Sequence, residues 1–169
     1  LQALGRNKRR QLQQILDSIT AKIWYLDTNG RVVMQNAYAT KVTGRSPKDA
    51  SGKTLDLLLP SWDEPLRRQA QNLQALKSGT PILGSVESMH EEGCDIWCSV
   101  DRVPMIYKSK VAKGLLVIAH DITALKRTET ELRVTQDRLQ QIIDNIREVF
   151  WLYDVATKDF SYVSMALPM

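Results

Sequence analysis

Hydrophobic side chains first recur along this chain at helical spacing. In "KRRQLQQILDSI", residues 8–19, the apolar positions fall three or four residues apart on an otherwise polar segment. They are Leu12, Ile15, Leu16 and Ile19. This pattern predicts an amphipathic helix whose apolar stripe requires a partner surface.

The period then changes to the alternation of strands. "IWYLDTNGRVVMQN", residues 23–36, holds two short β-rich runs around an Asn-Gly step, which is typical of a hairpin turn. Three further strands are predicted at residues 81–89, 96–105 and 115–119. Pro104 has no backbone N–H, so its strand should end, bulge or face an edge there.

Glycine and proline interrupt residues 36–60, which predicts several short helical turns. "DEPLRRQAQNLQALKSG", residues 63–79, predicts one longer helix capped by Asp63 and ended by Gly79. Its predicted apolar contacts are Leu66, Leu73 and Leu76. The predicted fold class is α+β: a five-stranded antiparallel sheet with short helices and one longer helix on one face, flanked by amphipathic helices at both ends.

The strand at residues 115–119 is apolar at every position, so both of its faces should be covered. Helices cover one face, and we expect the other to receive the stripe of residues 12–19 from the same chain or a partner chain. The alternative is an unusually apolar central strand in a monomer.

A last helix opens at Asp121-Ile122-Thr123 and carries leucines at a seven-residue spacing, as in a coiled coil. A repeat accompanies it: "LQQILDSITAKIWYLD" at residues 12–27 aligns without a gap with "LQQIIDNIREVFWLYD" at residues 139–154. The two copies are 127 residues apart, and a period of this length indicates tandem domains. We expect a piece of a longer protein, with a linker helix at 1–19, one domain at 20–122, an exit helix at 123–146 and the start of a second domain at 147–169.

Composition narrows the function classes. The 169 residues are 43% hydrophobic and 25% charged, and no apolar run is long enough to span a bilayer, so any membrane anchor should lie elsewhere. The net charge is +4, and its clearest basic cluster, at residues 6–10, has no interleaved aromatic side chains, which does not favour nucleic-acid binding. Cys94 and Cys98 share a predicted strand and cannot pair with each other, which fits a reducing cytoplasm.

Four segments, in this order, resemble the PAS sensory domain family. They are "LDTNGRVVMQN" (26–36), "VTGRSPKDASGKTLDLLLP" (42–60), "GCDIWCSVDRVPM" (93–105) and "AHDITALKRTETELR" (119–133). The resemblance implies a non-catalytic sensory and relay module of a larger bacterial signalling protein. A histidine kinase of a two-component system or a cyclic-dinucleotide enzyme is the implied output domain.

The resemblance and the strand alternation together imply a ligand pocket between the sheet and the short helices. Its candidate residues are Trp24, Leu26, Asn36, Tyr38, Leu55, Leu58, Leu73, Ile96, Cys98, Val100, Leu116 and Ile118. For signal relay the resemblance implies that Asp121 and Thr123 join the last strand to the exit helix, and that Asp121 pairs with Lys126. The alternative is that the first two residues only cap the helix.

The apolar stripes predict a parallel homodimer. Its interface candidates are Leu12, Ile15, Leu16, Ile19, Leu125, Leu132 and Leu139. Two other functions stay open: a ligand-free dimerisation or interaction module, and a redox sensor with noncovalent flavin.

The cofactor is not determined by the sequence. Haem-binding relatives usually present a histidine from the longer helix, and cysteinyl-flavin relatives carry a cysteine among the short helices; this chain has neither. A small metabolite or a noncovalent flavin therefore stays open. His90, Cys94 and Cys98 are spaced like metal ligands, but a predicted turn separates the first two and a fourth ligand is not evident, so we predict no metal site.

Overall fold

The computed structural model describes residues 2–91, 93–106, 111–145 and 151–163. The predicted end of the exit helix at residue 146 and parts of the predicted second domain, 147–150 and 164–169, lie outside these residues. In chain order the elements are α1 (Gln2–Asp17), β1 (Lys22–Leu26), β2 (Val32–Gln35), α2 (Ala37–Thr43), α3 (Pro47–Ala50), α4 (Leu55–Leu58), α5 (Pro65–Ser78), β3 (Ile82–Glu91), β4 (Cys94–Ile106), β5 (Ala112–Asp121), α6 (Thr123–Asn145), β6 (Trp151–Asp154) and β7 (Asp159–Val163).

The first five strands form one antiparallel sheet in the order β2-β1-β5-β4-β3. The first and last strands of the sheet therefore lie side by side, and β5 occupies its centre. With the short helices and α5, this confirms the predicted α+β class. None of the described helices is long and apolar enough to cross a membrane.

The core lies between one face of the sheet and the helices. Trp24 lies opposite Val117, and Leu26 lies opposite Leu115, so the alternate residues of β1 and β5 share this face. Ala39, Ala50, Leu55, Leu58 and Ala75 contribute from the helices to the same buried cluster. We call this side of the sheet the inner face.

Pro104 was predicted to end, bulge or expose its strand, and the structure confirms a bulge. The register between β4 and β5 shifts between Pro104 and Ile106. Strand β3 begins at Ile82, which lies opposite Arg102, so at Pro104 the described strands pair with β4 on the β5 side only. The shift in register and the unpaired side of β4 together accommodate the missing donor of the proline.

Helix α5 differs from its prediction at its start and on its buried face. Its N-cap residue is Glu64, in a left-handed conformation, because the Asp63 carboxylate instead accepts a 2.6 Å hydrogen bond from Ser88. Leu66 is exposed and Leu73 is half-exposed, whereas Arg68 is buried in their place. Gly79 ends the helix as predicted, in a left-handed conformation with its N–H bonded to Ala75.

The chain divides into two units, Leu1–Thr123 and Ala124–Met169. In the second unit β6 and β7 pair as a hairpin. The Asp154 carboxylate accepts from the backbone N–H groups of Thr157 and Ala156, and these bonds lower the pKa of Asp154. Asp27 holds the turn of the first hairpin in the same way, through the N–H groups of Asn29 and Arg31. The two aspartates occupy equivalent positions in the sequence repeat.

Candidate functional site

A buried ion pair lies on the inner face of the sheet. Arg102 of β4 contacts Glu87 of β3 with 2.8 Å between Nη2 and Oε1, and Arg102 Nε donates to Asn72 Oδ1 of α5 at 2.8 Å. Burial lowers the pKa of Arg102, and the Glu87 carboxylate opposes this effect. One guanidinium group thus joins two strands to the longer helix.

A second buried arginine, Arg68 of α5, holds the chain that leads into its own helix. Its Nη1 donates to the carbonyls of Trp62 and Asp63 at 3.1 and 3.2 Å, and its Nη2 forms an ion pair with Asp56 of α4. The guanidinium also lies 4.8 Å from the centroid of the Trp62 ring. Gln69 donates to the same Asp56 carboxylate. Asp56 is therefore the acidic partner that connects α4 with α5.

Several buried donors near these arginines have no hydrogen-bond acceptor among the described residues. They are Trp24 Nε1, Trp62 Nε1, Arg68 Nε and Arg102 Nη1. The two indole rings are in contact, with centroids 5.6 Å apart. An unsatisfied buried polar group costs about 1–3 kcal/mol, so these donors have unused capacity for an acceptor, and the buried Glu87 Oε2 likewise has unused capacity for a donor.

A cleft of about 420 Å³ opens beside this polar cluster, between the β1–β2 turn and helices α4 and α5. Its polar wall includes Asp56, Arg68, Gln69 and Asn72, and its apolar wall consists of Leu55, Leu73 and Leu76. This volume lies within the range of ordinary small-molecule sites. We call it the α4–α5 cleft.

Half of the twelve predicted pocket residues are buried members of the core cluster. These six residues are Trp24, Leu26, Leu55, Leu58, Cys98 and Val100. Of these, only Leu55 also lines the α4–α5 cleft, together with the predicted Leu73. Tyr38 and Ile96 line a separate cleft of about 400 Å³ near Lys22 and Asp121. The predicted set is thus divided between a packed core and two clefts.

Leu116 and Ile118 were predicted on the pocket side, and the structure corrects this. They alternate with Leu115, Val117 and Ala119, which face the core, so they lie on the opposite face of β5. Because the run is apolar at every position, its sequence does not show which alternate set faces inward.

Asn36, also predicted in the pocket, forms hydrogen bonds that connect three parts of the fold. Its Oδ1 accepts from the N–H groups of Ile23 and Ala39 at 3.0 Å, which caps α2. Its Nδ2 donates to the carbonyls of Leu16 and Ala21 at 3.1 and 2.8 Å. One side chain therefore joins the end of α1, strand β1 and the start of α2.

The predicted relay residues lie where β5 passes into α6. The Trp97 N–H of β4 donates to Thr123 Oγ1 at 3.0 Å, and the Ile122 N–H donates to the Trp97 carbonyl at 2.8 Å. Asp121 Oδ1 accepts from the Thr123 N–H at 2.8 Å. Lys126 forms an ion pair with Glu129 at 3.0 Å within α6, and its predicted pairing with Asp121 stays a prediction.

The predicted dimer residues are largely solvent-exposed in the single chain. Those exposed are Leu12, Ile15, Ile19, Leu125, Leu132 and Leu139. Leu16 is half-buried, and its carbonyl accepts from Asn36. Such rows leave apolar surface for a partner.

The sequence interpretation missed the buried charges at Arg68, Arg102 and Glu87 and the half-buried partner of Arg68, Asp56. A signal existed for one of them, because Arg102 is in phase with Cys98 and Val100 along β4 and so belongs to the inner face. No comparable signal marked Asp56, whose partner lies on another helix.

Residues 10–122 match the family described as the PAS fold. The PAS domain of a protein from Colwellia psychrerythraea has a TM-score of 0.56 and 20% identity, over 68% of this chain and 97% of its own. The PAS domain of nitrogen regulation protein NR(II) from Vibrio parahaemolyticus has a TM-score of 0.51 and 24% identity, over 65% and 96%. An RNA-binding Light-Oxygen-Voltage receptor has a TM-score of 0.58 and 17% identity, over 76% and 36%. These identities show the fold alone. No curated protein sequence matches the chain.

Proposed function

The chain belongs to the PAS family, and from this premise we propose that it is the sensory and signal-relay domain of a larger signal-transduction protein. A ligand or a change of dimer state alters the inner face of the sheet. The altered sheet then changes the start of α6, which carries the signal onward to an output domain.

The observation that carries this proposal is the pair of hydrogen bonds between β4 and the start of α6. Trp97 uses both its N–H and its carbonyl, the first to Thr123 and the second to Ile122. A helix cap alone requires neither bond to a neighbouring strand. A displacement of β4 therefore changes the position of the first residue of α6.

We propose that α6 delivers the signal as part of a parallel homodimer. Leu125, Leu132 and Leu139 recur every seven residues and are exposed, as a coiled-coil seam requires. A helix pair of this kind supplies two arrangements that a small change at one end can bias. The output domain in this proposal is a sensor histidine kinase or a cyclic-dinucleotide enzyme, and β6 and β7 begin a second domain of the same kind.

The test removes only the hydroxyl of Thr123. Thr123→Val keeps the shape of the side chain and removes the acceptor for Trp97. Thr128→Val is the matched control, because among the described residues the Thr128 hydroxyl bonds within α6, to the Ala124 carbonyl. We expect Thr123→Val to speed amide hydrogen exchange at Trp97 and to uncouple output from input in the full-length protein. Normal regulation in both variants would reject the relay and leave Thr123 as a helix cap.

A second candidate, the ligand-free interaction module, is favoured by one observation. Trp24 and Trp62 are both fully buried and pack against each other in the core, where the sequence predicted a pocket. In that case dimerisation would be the whole role, and no small molecule would change the unfolding temperature. A visible absorbance spectrum of the purified protein separates both candidates from a flavin-based redox sensor, since only a flavin absorbs near the blue end of the spectrum.

A further inference from the structure

We propose that the α4–α5 cleft binds a small carboxylic acid with a short aliphatic chain. This inference rests on the proposed sensory function and names the class of ligand that the domain detects. The carboxylate would lie against Arg68 and Asn72, and the aliphatic chain against the leucines of the opposite wall.

The polar wall of the cleft holds both donors and acceptors, and both oxygens of its carboxylate, Asp56, already accept from Arg68 and Gln69. Arg68 is 2% exposed, and its Nε has no acceptor among the described residues, while both of its terminal nitrogens are already bonded. Asn72 accepts from Arg102 through Oδ1, so the group that this amide offers to the cleft is its NH₂. Two donors on adjacent turns of α5 match the two oxygens of a carboxylate.

The apolar wall favours a carboxylic acid over an inorganic anion as the ligand. Leu73 is 49% exposed, and Leu55 and Leu76 line the same cleft. An inorganic phosphate has no surface that would benefit from contact with three leucines. A chain of several methylene groups would remove this apolar surface from water, at about 0.8 kcal/mol for each buried methylene.

A neighbouring cleft, which Arg68 also lines, is excluded as the carboxylate site by the charges of its lining residues. That second cleft measures about 140 Å³ and is lined by the carboxylates of Asp63, Glu64 and Glu87 against the guanidinium groups of Arg67 and Arg68. Three acidic groups disfavour an anion there. In the α4–α5 cleft the only carboxylate among the lining residues is Asp56, and it is already paired with Arg68.

The position of Asn72 links this cleft to the proposed relay. A ligand that contacts the Asn72 amide acts on the group that holds Arg102 Nε. Arg102 belongs to β4, the strand whose Trp97 bonds to the start of α6. Occupancy of the cleft is therefore transmitted to β4 through one side-chain hydrogen bond.

The test compares three probes on the 169-residue chain: butyrate, its neutral isostere butyramide, and inorganic phosphate. We expect butyrate alone to raise the unfolding temperature in a saturable manner, as binding to the folded state requires. Butyrate should also shift the side-chain amide NMR signals of Asn72 and Gln69. Equal effects of butyrate and butyramide, equal effects of butyrate and phosphate, or no effect of butyrate would each overturn the proposal.

A charge-matched pair of variants locates the site. Asn72→Asp preserves an acceptor for Arg102 but places a negative charge in the cleft, and we expect it to weaken butyrate binding about tenfold or more. Gln74→Glu makes the same charge change at an exposed position of α5 and should bind butyrate like the unmodified chain. Similar affinities in the two variants would place the butyrate elsewhere and overturn the assignment.

These results are separable from the test of the relay. If butyrate does not bind while Thr123→Val still uncouples the output, the sensory function stands and the ligand class is wrong. If butyrate binds at Asn72 while Thr123→Val has no effect, the ligand class stands and the proposed relay is wrong.

Discussion

Arg102 and Glu87 form an ion pair in the protein interior, with 2.8 Å between Nη2 and Oε1 and side chains that are 0% and 6% exposed. Removing two charges from water costs several kcal/mol for each ion, and their attraction offsets this only when both are present. Loss of one partner should therefore be more damaging than loss of both.

We predict that Glu87→Gln lowers the free energy of unfolding by about 3–5 kcal/mol, because it leaves the Arg102 charge uncompensated. The double variant Glu87→Leu with Arg102→Met should be far closer to the original stability. Urea denaturation measures both. The control is Glu64→Gln, which breaks the exposed 2.7 Å ion pair with Arg67 and should hardly change the unfolding midpoint. Equal losses in Glu87→Gln and Glu64→Gln would contradict this account.

Cys98 makes stability depend on pH in the alkaline range. Burial raises the pKa of its thiol from 9.0 to about 11. The folded state therefore holds the proton more tightly than the unfolded state. The resulting stability is fully present below pH 9 and is lost as the pH rises from about 9 to 11, by roughly 2–3 kcal/mol.

This loss is measured as a difference between variants, since other groups titrate in the same range. The stability of the unmodified chain should fall relative to that of Cys98→Ala across this window. Cys94 is exposed, so Cys94→Ala should follow the unmodified chain at every pH. Parallel pH profiles for all three proteins would show that burial of Cys98 has no such effect.

Asn36 should contribute more to the free energy of unfolding than the exposed Asn29 does. Its four hydrogen bonds lie between α1, β1 and α2, and Asn36→Ala should lower the free energy of unfolding by about 2–4 kcal/mol. Asn36→Asp preserves the acceptor and should cost less than Asn36→Ala. Asn29→Ala, at an exposed position in the β1–β2 turn, is the control and should be nearly neutral. Thermal unfolding with matching losses at residues 36 and 29 would refute the role of Asn36.

The dimer prediction is tested on the seven-residue row of α6. Leu132→Glu places a charge in the proposed seam and should convert a dimer to a monomer in sedimentation velocity experiments. Val134→Glu introduces the same charge two residues away, outside the row, and should leave the dimer intact. If the unmodified chain sediments as a monomer with α6 helical, the parallel coiled coil is wrong.

The sequence alone determined the order of elements and the fold class. Local signals were sufficient for this, because the Asn-Gly turn, the strand alternation and the proline of β4 act on neighbouring residues. The bulge at Pro104 shows the limit of such signals: the missing donor was certain, but only strand pairing decided how the sheet accommodates it.

The tertiary structure alone decided what lies inside. Leu115 and Val117 face the core whereas Leu116 and Ile118 do not, a choice that an uninterrupted apolar run leaves open. Two helices and two strands contribute the charged residues Arg68, Asp56, Glu87 and Arg102. Opposite charges among them form ion pairs only because packing brings them together and removes water from around them. Sequence periodicity records which residues share a face of one element. It carries no record of which distant charge that face will meet, because that contact depends on how the elements pack.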